Sequence, residues 1–237
     1  MYCPKCGHQQ NDGNRECARC GLIFSRYSRI DYSSLTQPSL LRRVLSYLLY
    51  TKDRVPVAGF AGRLGLFVFL VFWSFGFMVH TVESNYAGNS FMHLVNLPFH
   101  EAGHVFLVFA GSLMHSMGGS LGQVIMPLIC MLTLLIKTRD TFGASVTLWW
   151  MSESILDIAP YINDAKTMQL QLLGGNTGTN APYGFHDWNF ILSELGLLEH
   201  SHFIAVIADT AGKTVMAISL VWGATVLARQ LGKLKNN

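Results

Sequence analysis

Leu64-Gly65-Leu66-Phe67-Val68-Phe69-Leu70-Val71-Phe72-Trp73-Ser74-Phe75-Gly76-Phe77-Met78-Val79-His80-Thr81-Val82 is the stretch that decides the class of this chain. Its 19 residues hold no acidic or basic side chain apart from His80, and Arg63 and Glu83 bracket it. At ~1.5 Å per residue, a helix of that length approaches the ~30 Å hydrocarbon core of a bilayer. Further apolar blocks follow at 91–110, 121–136, 142–163 and 203–228. Charged residues make up 13% of the 237, and the mean hydropathy is +0.31. That share is about half the ~25% of ordinary soluble domains, too little to cover a water-exposed surface. Disordered, collagen-like and secreted disulfide-rich chains are excluded. The pattern reads as an all-α multi-pass membrane bundle of roughly 4–5 transmembrane helices.

The N-terminus differs in kind. Four of the five cysteines fall in the first 20 residues, as Cys3-Pro4-Lys5-Cys6-Gly7 and Cys17-Ala18-Arg19-Cys20-Gly21. Two CxxC pairs, each followed by a turn-permitting glycine, let four thiolates surround one tetrahedral Zn2+. Residues 1–24 therefore read as a small zinc ribbon, whose folding energy comes from the metal because it has no core of its own. Reduced thiols argue for a cytoplasmic setting. A role in docking a cytoplasmic protein partner is expected ahead of nucleic-acid binding, since the formal net charge is only +3. Met1-Tyr2-Cys3-Pro4 has no apolar signal core, so no cleaved signal peptide is expected.

Residues 25–56 form a basic linker. Within it, 39–50 places apolar residues at helical spacing beside Arg42 and Arg43, which suits either an interfacial helix on membrane lipid or a plain linker helix. Residues 57–237 form the membrane domain, and 174–184 is a loop by composition. Ten of the 17 Lys and Arg precede residue 64, so the N-terminus is expected in the cytoplasm. Five full spans would put Lys137, Arg139, Arg229, Lys233 and Lys235 on the other side. Four spans plus one partly inserted helix bring them all inside. Block 91–110 is the candidate, with Asn96-Leu97-Pro98 read as its start and Asn96 as its cap. An integral protein of a bacterial inner or plasma membrane is the expected location.

Block 91–110 also holds His100-Glu101-Ala102-Gly103-His104. On a helix, His100 and His104 share a face and can both ligate one zinc, while Glu101 can act as base toward a water at the metal. Ionisable residues at membrane depth are costly and usually functional. Gly103 reads as leaving room beside the metal. A third protein ligand is needed. Glu153, Asp157 and Asp164 form a stripe, because 153 and 157 differ by ~40° around a helix and 157 and 164 by ~20°. Asp157, deepest in its block, is the first choice, with His186 and Asp164 as alternatives. Asp187 and Glu153 are expected as outer partners, and Asp164 could cap its helix or hold a histidine. Asp209 and Lys213, four apart, neutralise one another. His80, His93 and His115 show no partner pattern and read as ordinary polar residues. Gly118-Gly119-Ser120-Leu121-Gly122 suits close helix packing or a substrate-side strand.

With HEAGH inside a membrane block, the chain resembles site-2-type intramembrane zinc metalloproteases over roughly residues 64–228. It is closer still to a bacterial membrane family that joins a zinc ribbon to HEAGH, an Asp157-x-x-Pro160-Tyr161 segment and His186-Asp187-Trp188. The resemblance implies a zinc metallopeptidase in which Glu101 activates a water to cleave a protein or peptide substrate. It departs from the site-2 type in having Leu156-Asp157-Ile158 where an Asp-Gly motif is usual. The alternative is a non-catalytic membrane adaptor that uses the ribbon for partner binding and keeps a structural metal. A metal transporter would need repeated halves, which the sequence lacks.

Overall fold

The N-terminal residues repeat one turn twice. Gly7 N–H donates to the Cys3 carbonyl and Cys3 N–H to His8; Gly21 N–H donates to Cys17 and Cys17 N–H to Leu22, all at 2.9 Å. Each turn needs a left-handed residue, supplied by Gly7 (φ 71°) and Gly21 (φ 69°). The computed structural model describes residues 1–27, 39–52, 55–173, 175–180 and 186–235. Residues 28–38, 53 and 54 of the expected linker, and positions 174 and 181–184 of the expected loop, lie outside the described residues. Among the described residues helix is the only extended regular structure, with three isolated bridges besides.

The chain divides into Met1–Val44 and Leu45–Asn237. Residues 45–52, within the expected linker, group with the helical unit. The reason is a set of backbone carbonyls there that the helices satisfy. Trp222 Nε1 donates to Leu48, Arg229 to Leu49, Thr141 to Tyr50, and Lys233 to Thr51 and Lys52. Helix α1 (Leu40–Leu48) crosses that division and exposes Leu40, Leu41, Val44 and Leu45.

The helical unit contains α2 (Val57–Val79), α3 (Phe91–Leu107), α4 (Ser112–Thr133, continued by a π turn to Thr138), α5 (Thr141–Asn163), α6 (Asp187–Glu194) and α7 (Ser201–Lys235). Every apolar block falls on a helix. Three helical stretches are long and apolar enough to cross a membrane: Val57–Val79, Ser112–Thr138 and Leu198–Leu234. Phe69, Phe72 and Phe75 on α2 and Phe106 and Phe109 beyond HEAGH face outward, an apolar surface suited to lipid. Helix α5 is the centre of the unit, with 14 of its 23 residues buried. It packs on α2 through Trp149 Nε1 to Ser74 Oγ (2.7 Å) and on α7 at Gly212 and Gly223, where a side chain would strike Leu156 and Ser145. Polar residues such as Ser152, Glu153 and Asp157 are tolerated there because they face protein.

One end of the unit collects basic residues. Arg63 pairs with Asp140 (3.2 Å), and Arg139 lies 5.1 Å and 5.5 Å from the Tyr47 and Tyr50 ring centres. Arg229 and Lys233 join them through the carbonyls named above. Helices α2 and α5 start at this end; α4 and α7 finish there. Helix α3 keeps to the other half: its contacts fall on Trp150, Glu153, Ser154 and Asp157 of α5 and on His115, Gly118, Gly122 and Gln123 of α4.

Asn96 does not cap α3. The helix begins six residues earlier, after Ser90, and Pro98 lies within it. Pro98 forfeits one helical bond, yet Asn96 is drawn into the interior by Glu153 and Asp157 and is fully buried. Gly103 also serves a different purpose from the one expected. A Cβ there would stand 1.9 Å from the Gly118 carbonyl oxygen, and one at Gly122 would stand 2.2 Å from that of Phe99. The glycine run is therefore a helix-packing surface, which lets α3 and α4 meet backbone to backbone. Gly103→Val should destabilise the fold by about 3 kcal/mol, since neither backbone can yield without separating the hairpin. Thermal unfolding in detergent, beside Gly65→Val on open surface as control, checks this.

Candidate metal centre

The α3–α4 contact sets the orientation of both motif histidines. His104 Nδ1 lies 2.7 Å from the His115 carbonyl oxygen, and His115 Nδ1 lies 2.9 Å from that of His104. A carbonyl only accepts, so each Nδ1 carries its proton. His100 Nδ1 lies 2.8 Å from Gln123 Oε1. The amide is held that way round because Gln123 Nε2 donates to the Ser154 carbonyl (3.1 Å) and to Asp157 Oδ2 (3.3 Å), both pure acceptors. Both Nε2 lone pairs are thus free. They face one oxygen: Asp187 Oδ2 is 3.5 Å from His100 Nε2 and 3.3 Å from His104 Nε2. Gly119 underlies the site, where a Cβ would stand 2.3 Å from His100 Nε2.

Asp187 opens α6, and three bonds fix that helix. Trp188 Nε1 donates to Ser120 Oγ (3.0 Å), Asn189 Nδ2 to the Ala165 carbonyl (2.8 Å), and the Asp187 N–H to Tyr161 Oη (3.0 Å). Tyr161 Oη in turn donates to Asp187 Oδ2 at 3.3 Å. Two imidazole nitrogens and a carboxylate oxygen, all within 4.8 Å of one another, could hold a metal ion. Without a cation, three electron-pair donors would converge unless the rings took up extra protons. The same is true of Cys3, Cys6, Cys17 and Cys20, the second group that could hold a metal. Their thiols are unpaired as disulfides. Cys17 is lowered to about 6: burial, which raises it, is outweighed by the N–H groups of Arg19 and Cys20 and the neighbouring thiols.

The other candidates fall into place around this centre. Glu101, exposed, lines the same cavity as both histidines and Asp187, a space of about 950 Å³. Asp157 is not in the three-donor group. Its Oδ1 takes His93 Nδ1 (2.9 Å), and its Oδ2 takes Asn96 Nδ2 (3.2 Å) and Gln123 Nε2. Glu153 lies one step further out, accepting from Asn96 (2.9 Å) and Ser90 (3.3 Å). Asp164 binds the N–H groups of Gln169 and Leu170 (both 2.8 Å), organising a turn whose residues line the cavity. His186 caps α6 by accepting from Asn189 N–H (3.1 Å), stacks on Tyr161, and turns Nε2 to Asp164 at 3.4 Å. Neither Asp164 nor His186 joins the three-donor group. Asp209 and Lys213 pair at 2.8 Å, as expected.

Gln123 belongs to no motif named in the sequence; His93 and His115 read there as ordinary polar residues, and Tyr161 only as part of the Asp157-x-x-Pro160-Tyr161 segment. Gln123 had one signal: it is a lone amide in an otherwise apolar block. No protein family, curated protein or solved structure matches this chain. Gln123→Leu removes the acceptor that holds the His100 tautomer, so metal affinity at this centre should fall about 10–100-fold. Competition with a chelator should reveal that loss while metal on the four cysteines is retained.

Proposed function

We propose that the chain is a zinc-dependent membrane metallopeptidase, with His100, His104 and Asp187 as metal ligands and Glu101 as general base. The convergence of three metal-ligating atoms beside an exposed glutamate in one cavity carries this reading. Distances support zinc. Ligands at ~2.0–2.1 Å from a tetrahedral zinc stand ~3.3–3.4 Å apart, against the 3.5 Å and 3.3 Å found to Asp187. Sulfurs at ~2.3 Å stand ~3.8 Å apart, against 3.7 Å for both Cys3–Cys20 and Cys6–Cys17. The four cysteines accordingly form a zinc ribbon, a docking module for a cytoplasmic partner.

When bound at His100, His104 and Asp187, zinc supplies Lewis acidity, polarising a carbonyl and easing ionisation of a water. Glu101 would take the proton from the attacking water as its oxygen bonds to the peptide carbon. It returns the proton to the leaving amine nitrogen as the C–N bond breaks. The Tyr161 hydroxyl holds Asp187, and Gln123 and the His115 carbonyl hold the imidazoles, so the donors need little reorganisation.

Four helices, α2, α4, α5 and α7, cross the membrane of a bacterial cell with the basic end in the cytoplasm, and α3 enters only the opposite half. The gathering of Arg63, Arg139, Arg229 and Lys233 at one end supports this arrangement. Reporter fusions should place both termini in the cytoplasm; an external C-terminus would refute it.

Two zinc ions per chain are expected. Replacing Cys6 and Cys20 by Ala should leave about one. Asp187→Asn should lose the other, whereas Asp157→Asn should keep it; the reverse result would return the third ligand to Asp157. Glu101→Gln should keep both ions and lower cleavage of a membrane-protein substrate by about 10²–10⁴-fold. Unchanged cleavage would eliminate the peptidase mechanism and leave the non-catalytic adaptor ahead.

A further inference from the structure

The cavity contains a second histidine–carboxylate pair that the proposed reaction leaves without a task. His93 precedes His100 by seven residues on α3, so the two differ by only ~20° around the helix and share its cavity face. Both line the cavity, as does Asp157. The carboxylate is clamped from three directions, by Asn96, Gln123 and His93, and its side chain is 3% exposed. The His93 ring is 41% exposed. Its Nδ1 is spent on Asp157, and its Nε2 has no protein partner among the described residues.

A buried carboxylate is costly unless a cation answers it. Asp157 has one such partner among the described residues, His93. When the ring is protonated it carries a proton on each nitrogen, and Nε2–H then points a donor at the cavity. Gln123 joins this pair to the His100 ring in one chain of hydrogen bonds, so the donor and the metal ligands keep a constant spacing. Seven residues of helix span ~10 Å, and an extended peptide advances ~3.3 Å per residue. Asn85 and Asn89 line the neighbouring wall, and Glu101 and Asp187 make the cavity unfavourable to an acidic group. A neutral acceptor, the substrate's own backbone carbonyl, fits best.

Resting on the metallopeptidase reading, we propose that His93, held by Asp157, is a substrate-positioning residue that donates to a peptide carbonyl about three residues from the cleaved bond. Nested peptide hydroxamates of leucine, one to four residues long, test this, with the zinc-binding group at the C-terminus in one series and at the N-terminus in the other. Their affinities are measured for the zinc-loaded full chain and for His93→Ala. In one series, wild-type affinity should rise about 10–100-fold as the chain passes the third residue, the range for a hydrogen bond to a charged donor. His93→Ala should lose that step while binding the one-residue hydroxamate and zinc as wild type does. His93→Gln, which restores a neutral donor, should recover part of it. A step that persists in His93→Ala, or no step in either series, overturns the proposal. Failure of the one-residue hydroxamate to bind wild type at all would instead remove the metal-centre reading, and this proposal with it.

Discussion

Helices α3 and α4 touch through bare backbone at Gly103, Gly118 and Gly122, and the candidate metal centre depends on that approach. A Cβ at Gly103, Gly118 or Gly122 would stand 1.9–2.4 Å from a backbone oxygen of the facing helix and force the two apart. Contact brings the His115 carbonyl onto His104 and Gln123 onto His100, and it leaves Gly119 flat beneath the His100 ring. Glycine in a helix interior costs ~1 kcal/mol relative to alanine. In an apolar bundle, where burial gives helices little reason to associate, close van der Waals contact offsets that cost.

A polar layer crosses the same level of the bundle. Asn96 spends both amide hydrogens on Glu153 and Asp157 while its oxygen accepts from Trp150 and Ser154. Gln123 does the same between Ser154, Asp157 and His100. An unmatched polar group of this kind costs about 1–3 kcal/mol. The saturated network avoids that cost only in one register of α3 against α4 and α5. Side-chain specificity, absent from the apolar surfaces, thus comes from two amides.

Periodicity and apolar length made the helices legible, because a membrane-length block has few other ways to satisfy its backbone. The HExxH and CxxC spacings were equally legible, since their donors lie one turn or one tight loop apart. Asp187 reads from the sequence as an outer partner, and the structure groups its carboxylate with His100 and His104. It meets His100 from a short helix 87 positions later in the chain, fixed by Trp188 and Asn189, and nothing local in the sequence encodes that meeting. Asp157 drew the ligand assignment by its depth alone; the competing demand of His93, Asn96 and Gln123 for the same carboxylate was invisible. Asn96 before Leu97-Pro98 looked like a cap by local chemistry, and tertiary hydrogen bonds overrode it.

The proposed hydrolysis would need water inside an apolar bundle, and the cavity offers a place for it. Asp157 lies six residues before the end of α5, or ~9 Å along the helix, in the half opposite the basic end. Because α3 occupies only that half, the polar wall formed by His93, Glu101 and Gln123 faces a cavity of about 950 Å³ instead of a neighbouring helix. The turn tied by Asp164 forms part of the rim. Short α3 is thus what the proposed reaction would require. In the proposed membrane arrangement, a full-length helix would seal the histidines in hydrocarbon, whereas the short α3 leaves them on the wall of the cavity.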